Sequence, residues 1–438
     1  MTDERRTVSA EPTPAAMGIR DVLRLADFRR LWLAQSISDF GDGLTLLTLM
    51  LLVNQLTGST LALAAVAIAL AIPPLTIGLV AGAYVDRWDR RRIMLVSDSL
   101  RAIVVLGFVF IDDAALMPLI LVLAFVQASI GTFFTPARGA LVPRVVPASG
   151  LLAANSITQA TRVIAGVIGS AAAGIIVGVY GVTWPAFALD SLTFIASVAI
   201  VYGVSRELGR PSQAERVSAG GTRAAMTEGL RIVGHSRALS TTLLALAVSM
   251  LGLGAVNVLF LPLLVNVLDV SPVWLGLVDV AQSASMILAA GLVAVLAARL
   301  RPTTIVTAGI FGVAILIGLT GAATSVWHVV LLLFGIGWFI TPLQAAVVTI
   351  FQTGVEDSAR GRVMAILQAA MSGASIASMA LAGIFGELIG IRSVFFLAAI
   401  VCGLGGVVAV LRYRGLALSE PSTGAEATTG EPSTARAA

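Results

Sequence analysis

The chain has 438 residues, of which 58% are hydrophobic and 12% charged, and its mean hydropathy of +0.96 excludes a water-soluble globular protein, which could not hide that much apolar surface. All 28 basic residues are arginines, and the net charge of +4 is scattered over short loops, so it is no nucleic-acid footprint. The single cysteine, Cys402, excludes an intrachain disulfide and a cysteine-based metal cage.

In chain order, residues 1–28 carry five acids and four arginines, followed by Arg29 and Arg30, with no apolar core, so no cleavable leader is expected. Ile19 to Leu25 read as a short amphipathic segment on the inner membrane surface. Apolar runs then predict helices over 31–54, 60–84, 93–111, 117–136, 154–179 and 184–204. The longest polar connection, 206–238, has Gly220 and Gly221 at its centre. Six further helices are predicted over 239–266, 273–298, 303–322, 327–351, 363–389 and 393–412. The domains read as a tail at 1–28, a bundle at 29–205, a linker at 206–238, a second bundle at 239–412 and a tail at 413–438, its Ser/Thr/Ala/Glu/Pro-rich stretch from Ser419 expected to be disordered.

The loops between these runs alternate between arginine-rich and arginine-free. Segments at 54–59, 112–118, 181–184, 268–272 and 322–327 carry no arginine, and Arg392 alone breaks the rule. Arg101 and Arg162 fall inside predicted helices. This alternation predicts an all-α membrane protein with twelve crossings and both termini cytoplasmic, and the 43 glycines suit close helix packing in lipid.

The halves look related. Gly131, Phe133, Thr135, Pro136 and Ala140 recur as Gly337, Phe339, Thr341, Pro342 and Ala346, an offset of 206, and Gly78 to Ala81 recur as Gly291 to Ala294 at an offset of 213. Two parallel six-helix repeats predict a transporter with its substrate site at the midplane between them.

The segment from Gly82 to Arg92 reads GAYVDRWDRRR. It resembles the loop signature of the major facilitator superfamily, G-x-L-a-D-R-x-G-R-[KR]-[KR]; Gly82, Asp86, Arg87 and Arg90 to Arg92 match, while Tyr84 and Asp89 depart from it. The resemblance implies a gating role between the halves for Gly82, Asp86, Arg87, Arg90 and Arg91; the plain alternative is a positive-inside stop. Phe28 to Trp32, Gly41 to Gly43, Gln55 to Ser59, Pro136 with Ala137, Pro143, Ala154 to Ser156 and Arg360 to Val363 are similar to the macrolide-efflux and enterobactin-exporter-like branch of drug–proton antiporters. Relatives in that branch export macrolides, siderophores and other amphiphiles, and some move lysophospholipid. The R-x-x-Q-G pattern of many proton-coupled exporters is incomplete here, with Ala124 at the Arg position, Gln127 at the Gln and Ala128 at the Gly. The G-P-x-x-G-G antiporter pattern appears only from Gly169 to Gly174, without its proline.

Ionisable groups in lipid-spanning helices are costly and mark function or pairing. Asp39 and Asp42 stand three apart on one helix face, roughly 12 and 16 Å along it at ~1.5 Å per residue, and Arg162 enters from the same side. Asp42, with Asp39, is a candidate proton carrier tuned by Arg162; the alternative is a static Asp–Arg pair joining two helices. Asp98 and Arg101 read as a structural pair near the inner rim. Asp279 is either a second proton or cation site or a hydrogen-bonded helix contact, Asp190 sits in the outer half of its helix, Glu387 is expected to be wetted, and His328 to be interfacial. Phe133, Phe134, Asn257, Gln282, Trp338 and Phe339 are candidate cavity liners, beside Met250, Phe260, Met286, Met364 and Met371.

The expected function is therefore export of hydrophobic or amphiphilic small molecules driven by inward proton flow, by a monomer in the cell membrane. The expected partners are the bilayer, the substrate and protons, without nucleic acid, metal or cofactor. Import of a polar solute, lysophospholipid transport and a transport-inactive sensor are the alternatives. No P-loop, G-x-S-x-G or HExxH constellation points to an enzyme.

Overall fold

The computed structural model describes residues 17–85, 87–209 and 222–414. Asp86, the linker centre with Gly220 and Gly221, and the terminal stretches 1–16 and 415–438 lie outside the described residues, and the expectations for gating by Asp86 and for the tails fall there with them. Among the described residues the chain is helical throughout. The elements are α1 (Ile19–Arg24), α2 (Ala26–Thr57), α3 (Thr60–Thr76), α4 (Gly78–Val85), α5 (Arg90–Phe108), α6 (Met117–Val145), α7 (Leu151–Tyr180) and α8 (Trp184–Tyr202). After them come α9 (Thr222–His235), α10 (Arg237–Pro262), α11 (Val273–Arg299), α12 (Pro302–Gly321), α13 (Val326–Thr353), α14 (Asp357–Ile389) and α15 (Ile391–Tyr413).

Among the described residues, ten helices are long and apolar enough to cross a membrane. Between the first two of these lie the shorter α3 and α4, and α5, which buries Arg90, Arg91, Asp98 and Arg101. The predicted helix over 60–84 is broken near Ile77, where Pro73 and Pro74 end α3. Helix α6 runs on through Pro136 and Pro143 to Val145, so Arg138, expected in a loop, is helical. Likewise α5 starts at Arg90, where Asp89 caps it by accepting from the Arg92 amide at 3.0 Å, and the predicted linker contains α9. Large apolar side chains such as Leu152, Phe110 and Leu388 stand exposed, as lipid-facing residues do.

Helix neighbours repeat from half to half. Helix α2 packs on α7 and α8 as α10 packs on α14 and α15; α5 packs on α6 and α8 as α12 packs on α13 and α15. Helix α3 lies on α6 and reaches α14 of the other half, while α11 lies on α13 and reaches α7. The repeated segments read in the sequence thus occupy matching places.

Hydrogen bonds between described residues of the two halves all lie towards the arginine-poor side. Asn54 and Asn266 exchange amide hydrogen bonds at 2.9 Å each way. Thr60 Oγ1 donates to the Gly383 carbonyl at 2.9 Å, Ser59 Oγ to Glu387 at 2.7 Å, and Ser170 Oγ to Asp279 Oδ2 at 2.8 Å. The halves are therefore latched together at that end.

Candidate functional site

The site begins where α2 meets α8. A methyl group on Gly41 would strike the side chains of Asp190 and Thr193, so this position must be glycine for the helices to close. That approach lets Thr45 Oγ1 donate to Asp190 Oδ2 at 2.5 Å, while Thr193 Oγ1 holds Asp190 Oδ1 at 2.9 Å. Asp190 is fully buried, and bonding both carboxylate oxygens offsets part of its desolvation.

Arg101 of α5 reaches into the same region. Its Nη2 donates to Asp42 Oδ1, its Nη1 lies 3.9 Å from Asp98 Oδ1, and its guanidinium carbon sits 4.2 Å from the centre of the Phe194 ring. Asp98 Oδ2 accepts from Ser197 Oγ at 2.5 Å. Arg101 is thus shared between a carboxylate that is sealed in, Asp98, and one that is not: the Asp42 side chain keeps 44% of its surface accessible. Asp42 and Arg101 form the polar wall of a cavity of about 200 Å³, with Leu49, Leu70, Phe108 and Gln127 among its other walls. Both amide atoms of Gln127 are buried without a protein partner among the described residues.

Two sequence expectations are corrected here. The cation on Asp42 is Arg101, not Arg162, and Arg101 is no rim residue. Because α5 begins three residues before its predicted start, Arg101 lies roughly 16 Å along it, at ~1.5 Å per residue. Ala124, the alanine at an expected arginine position, also lines the cavity; the positive charge there comes from α5.

The other predicted residues fall as follows. Asp39 is buried, accepts from Gln35 Nε2 at 2.7 Å, and lies in the electrostatic field of Arg162 and Arg138. Asp279 joins the halves through Ser170 and stands outside the cavity wall. Gly82 lies within α4 and Arg87 is exposed. Arg90 and Arg91 are buried, and Arg91 Nη2 donates to the Tyr202 carbonyl at 2.5 Å beside the Tyr202 ring, a tie within the first half.

None of the candidate liners reaches this cavity. Phe134 packs in a core with Leu31, Ala34, Val85 and Met94, because it faces α2 and not the hollow. Phe133 is half-buried on the neighbouring face. Phe339 lies against Gly312 of α12, Trp338 against Phe334 at 6.4 Å, Asn257 is exposed and Gln282 half-buried. Thr45 and Asp190 were missed as a pair; the signal was a lone acid and a threonine in two apolar runs. Every charged residue that is fully buried among the described residues lies before residue 205.

The description "transmembrane secretion effector", a major facilitator superfamily model, matches residues 21–429. The chain belongs to that family. Macrolide efflux protein A of Streptococcus pyogenes is 24% identical over 385 residues, covering 86% of this chain and 93% of that protein. The multidrug efflux pump Tap of Mycobacterium tuberculosis is 28% identical over 390 residues, covering 84% and 89%. Among solved structures, the nucleoside transporter NupG (D323A mutant) superposes with a TM-score of 0.73 at 10% identity, over 88% of this chain and 99% of that one. A bacterial homologue of the iron transporter ferroportin in an inward-facing state gives 0.72 at 13% identity, over 89% and 99%. These neighbours establish the major facilitator fold, and the transporter is a multi-pass protein of the cell membrane.

Proposed function

We propose that this transporter exports hydrophobic or amphiphilic small molecules in exchange for protons, by alternating access across twelve membrane crossings with both termini in the cytoplasm. The observation that carries the reading is the Asp42–Arg101 ion pair on the cavity wall. An ion pair in a low-dielectric interior is held by mutual attraction, and a proton on Asp42 abolishes that attraction. Arg101 then keeps Asp98 and the Phe194 ring, so its charge is not left alone. Proton binding at Asp42 is in this way tied to a local rearrangement of α5 against α2. One proton crossing 100 mV supplies about 2.3 kcal/mol.

The latch on the arginine-poor side supports a state open towards the cytoplasm, the side from which an exporter loads. The relatives named for macrolide and multidrug efflux support the substrate class. In proteoliposomes, efflux of a fluorescent amphiphile by the parent should follow an imposed pH gradient, and Asp42→Asn should lose that dependence. Transport indifferent to the gradient, or an unaltered Asp42→Asn, overturns proton coupling at this residue.

A further inference from the structure

One turn towards the arginine-rich side of Asp42 lies a second polar cluster that the coupling scheme does not use. Its geometry follows from the α2–α7 crossing. A methyl group on Gly43 would run into the backbone of Gly166, and one on Gly169 into the Phe40 carbonyl, so these helices touch along that stripe. Asp39 precedes Gly43 by four residues and Arg162 precedes Gly166 by four, and both helices run towards the arginine-poor side. Residues four apart share a helix face, and a carbon on Gly166 would meet nothing within 4 Å, so Arg162 stands exposed on the open side of the α2–α7 crossing, within the electrostatic field of Asp39 one turn below the glycine contact. The Trp32 indole, donating to Thr161 Oγ1 at 3.0 Å, fixes the crossing from beneath.

Helix α6 closes the third side. Phe134 and Ala137 pack in one core with Leu31 and Ala34 of α2, which sets the Arg138 backbone more than one turn to the arginine-rich side of Asp39. Arg138 and Arg162 lie in each other's field and in that of Asp39. The cluster therefore holds two guanidinium groups against one carboxylate. One oxygen of that carboxylate is already bonded by Gln35. Among the described residues, Arg138 Nε and Nη1, Asp39 Oδ2 and Gln35 Oε1 are buried without a hydrogen-bond partner, and Asp39 and Gln35 are both more than nine-tenths buried. Unmatched donors on a guanidinium with excess positive charge describe a receptor for an anion, since a carboxylate or phosphate can accept from both arginines at once.

We propose that Arg138 and Arg162, positioned around Asp39, bind the acidic head of an amphiphilic substrate, a carboxylate or a phosphate. Its apolar body would lie in the cavity one turn above, against Leu49, Leu70 and Phe108. The site rests on the export reading only for the direction of movement. It names the substrates as amphiphiles that include acidic ones, whereas Asp42 and Arg101 serve the proton.

The test is binding without any gradient. The full-length transporter in nanodiscs of neutral lipid is titrated with dansyl-undecanoic acid and with dansyl-undecylamine, read by probe fluorescence. The parent should prefer the acid. Arg138→Gln and Arg162→Gln should each weaken acid binding by about tenfold, the scale of one charged hydrogen bond, and leave the amine within about twofold. Arg162→Lys should retain most acid binding, which separates lost charge from lost fold. Equal affinity of the parent for both probes, binding of neither, or equal loss of both in the variants overturns the site. A parent that binds the acid but fails to move it under a pH gradient overturns the export reading and leaves the site standing.

Discussion

Arg101 of α5 donates to Asp42 of α2 across 59 positions of sequence, and the two charges meet on the wall of a cavity and not inside a packed core. The pairing predicts strong thermodynamic coupling. Arg101→Gln should lower thermal stability in detergent because Asp98 and Asp42 lose their shared cation. Asp42→Asn in the Arg101→Gln background should restore part of it, with a coupling of about 1–3 kcal/mol in a double-mutant cycle. Additive effects would mean the pair is not formed in the membrane protein.

Gly41 is predicted to tolerate no side chain. Gly41→Ala should cost about 1–3 kcal/mol and lower the yield of folded protein, as overpacking does. Gly139→Ala, where an added carbon meets nothing within 4 Å, is the control and should leave the melting temperature unchanged or slightly raised. A harmless Gly41→Ala would show that α2 and α8 stand further apart.

The Asn54–Asn266 pair is a place to lock the molecule. With Cys402 buried, cysteines replacing Asn54 and Asn266 should be the reactive pair. A short bifunctional crosslinker should join them and stop transport, and cleavage of the link should restore it. Transport that continues in fully crosslinked protein would show that this latch does not open during the cycle.

Asp279 separates two roles. As a hydrogen-bonded tie between halves it needs only an acceptor for Ser170, so Asp279→Asn should keep gradient-driven efflux within about twofold. Loss of the pH dependence with transport retained would instead make Asp279 a proton carrier.

Much of the fold is legible in the sequence. Apolar run length and arginine placement read out the helices because lipid demands both. Helix ends are less legible: the apolar run after Met117 predicts an end at Pro136, yet α6 continues to Val145. A proline inside a membrane helix removes one hydrogen bond that neighbours and solvent can replace, so it need not stop the helix. The acids within the helices were visible as costly residues. Their partners were not, because periodicity gives the face of a helix but not which helix will stand opposite. By depth along the helices Arg162 is the partner expected for Asp42 and Arg101 belongs with Asp98 at the rim; only the packing of α5 between α6 and α8 brings Arg101 to Asp42. The aromatic liners failed for the same reason, since Phe134 has two faces to choose from and takes the core.

Among the described residues, the confinement of fully buried charge to the first half has a consequence for which changes the chain can accept. The two repeats are therefore unequal in what they tolerate: a buried charge can be replaced only together with its partners, whereas apolar packing accepts exchanges of similar volume. In a deep mutational scan scored by folded yield, apolar exchanges in α10 to α15 should be accepted more often than any exchange at the buried charges of α2, α5 and α8.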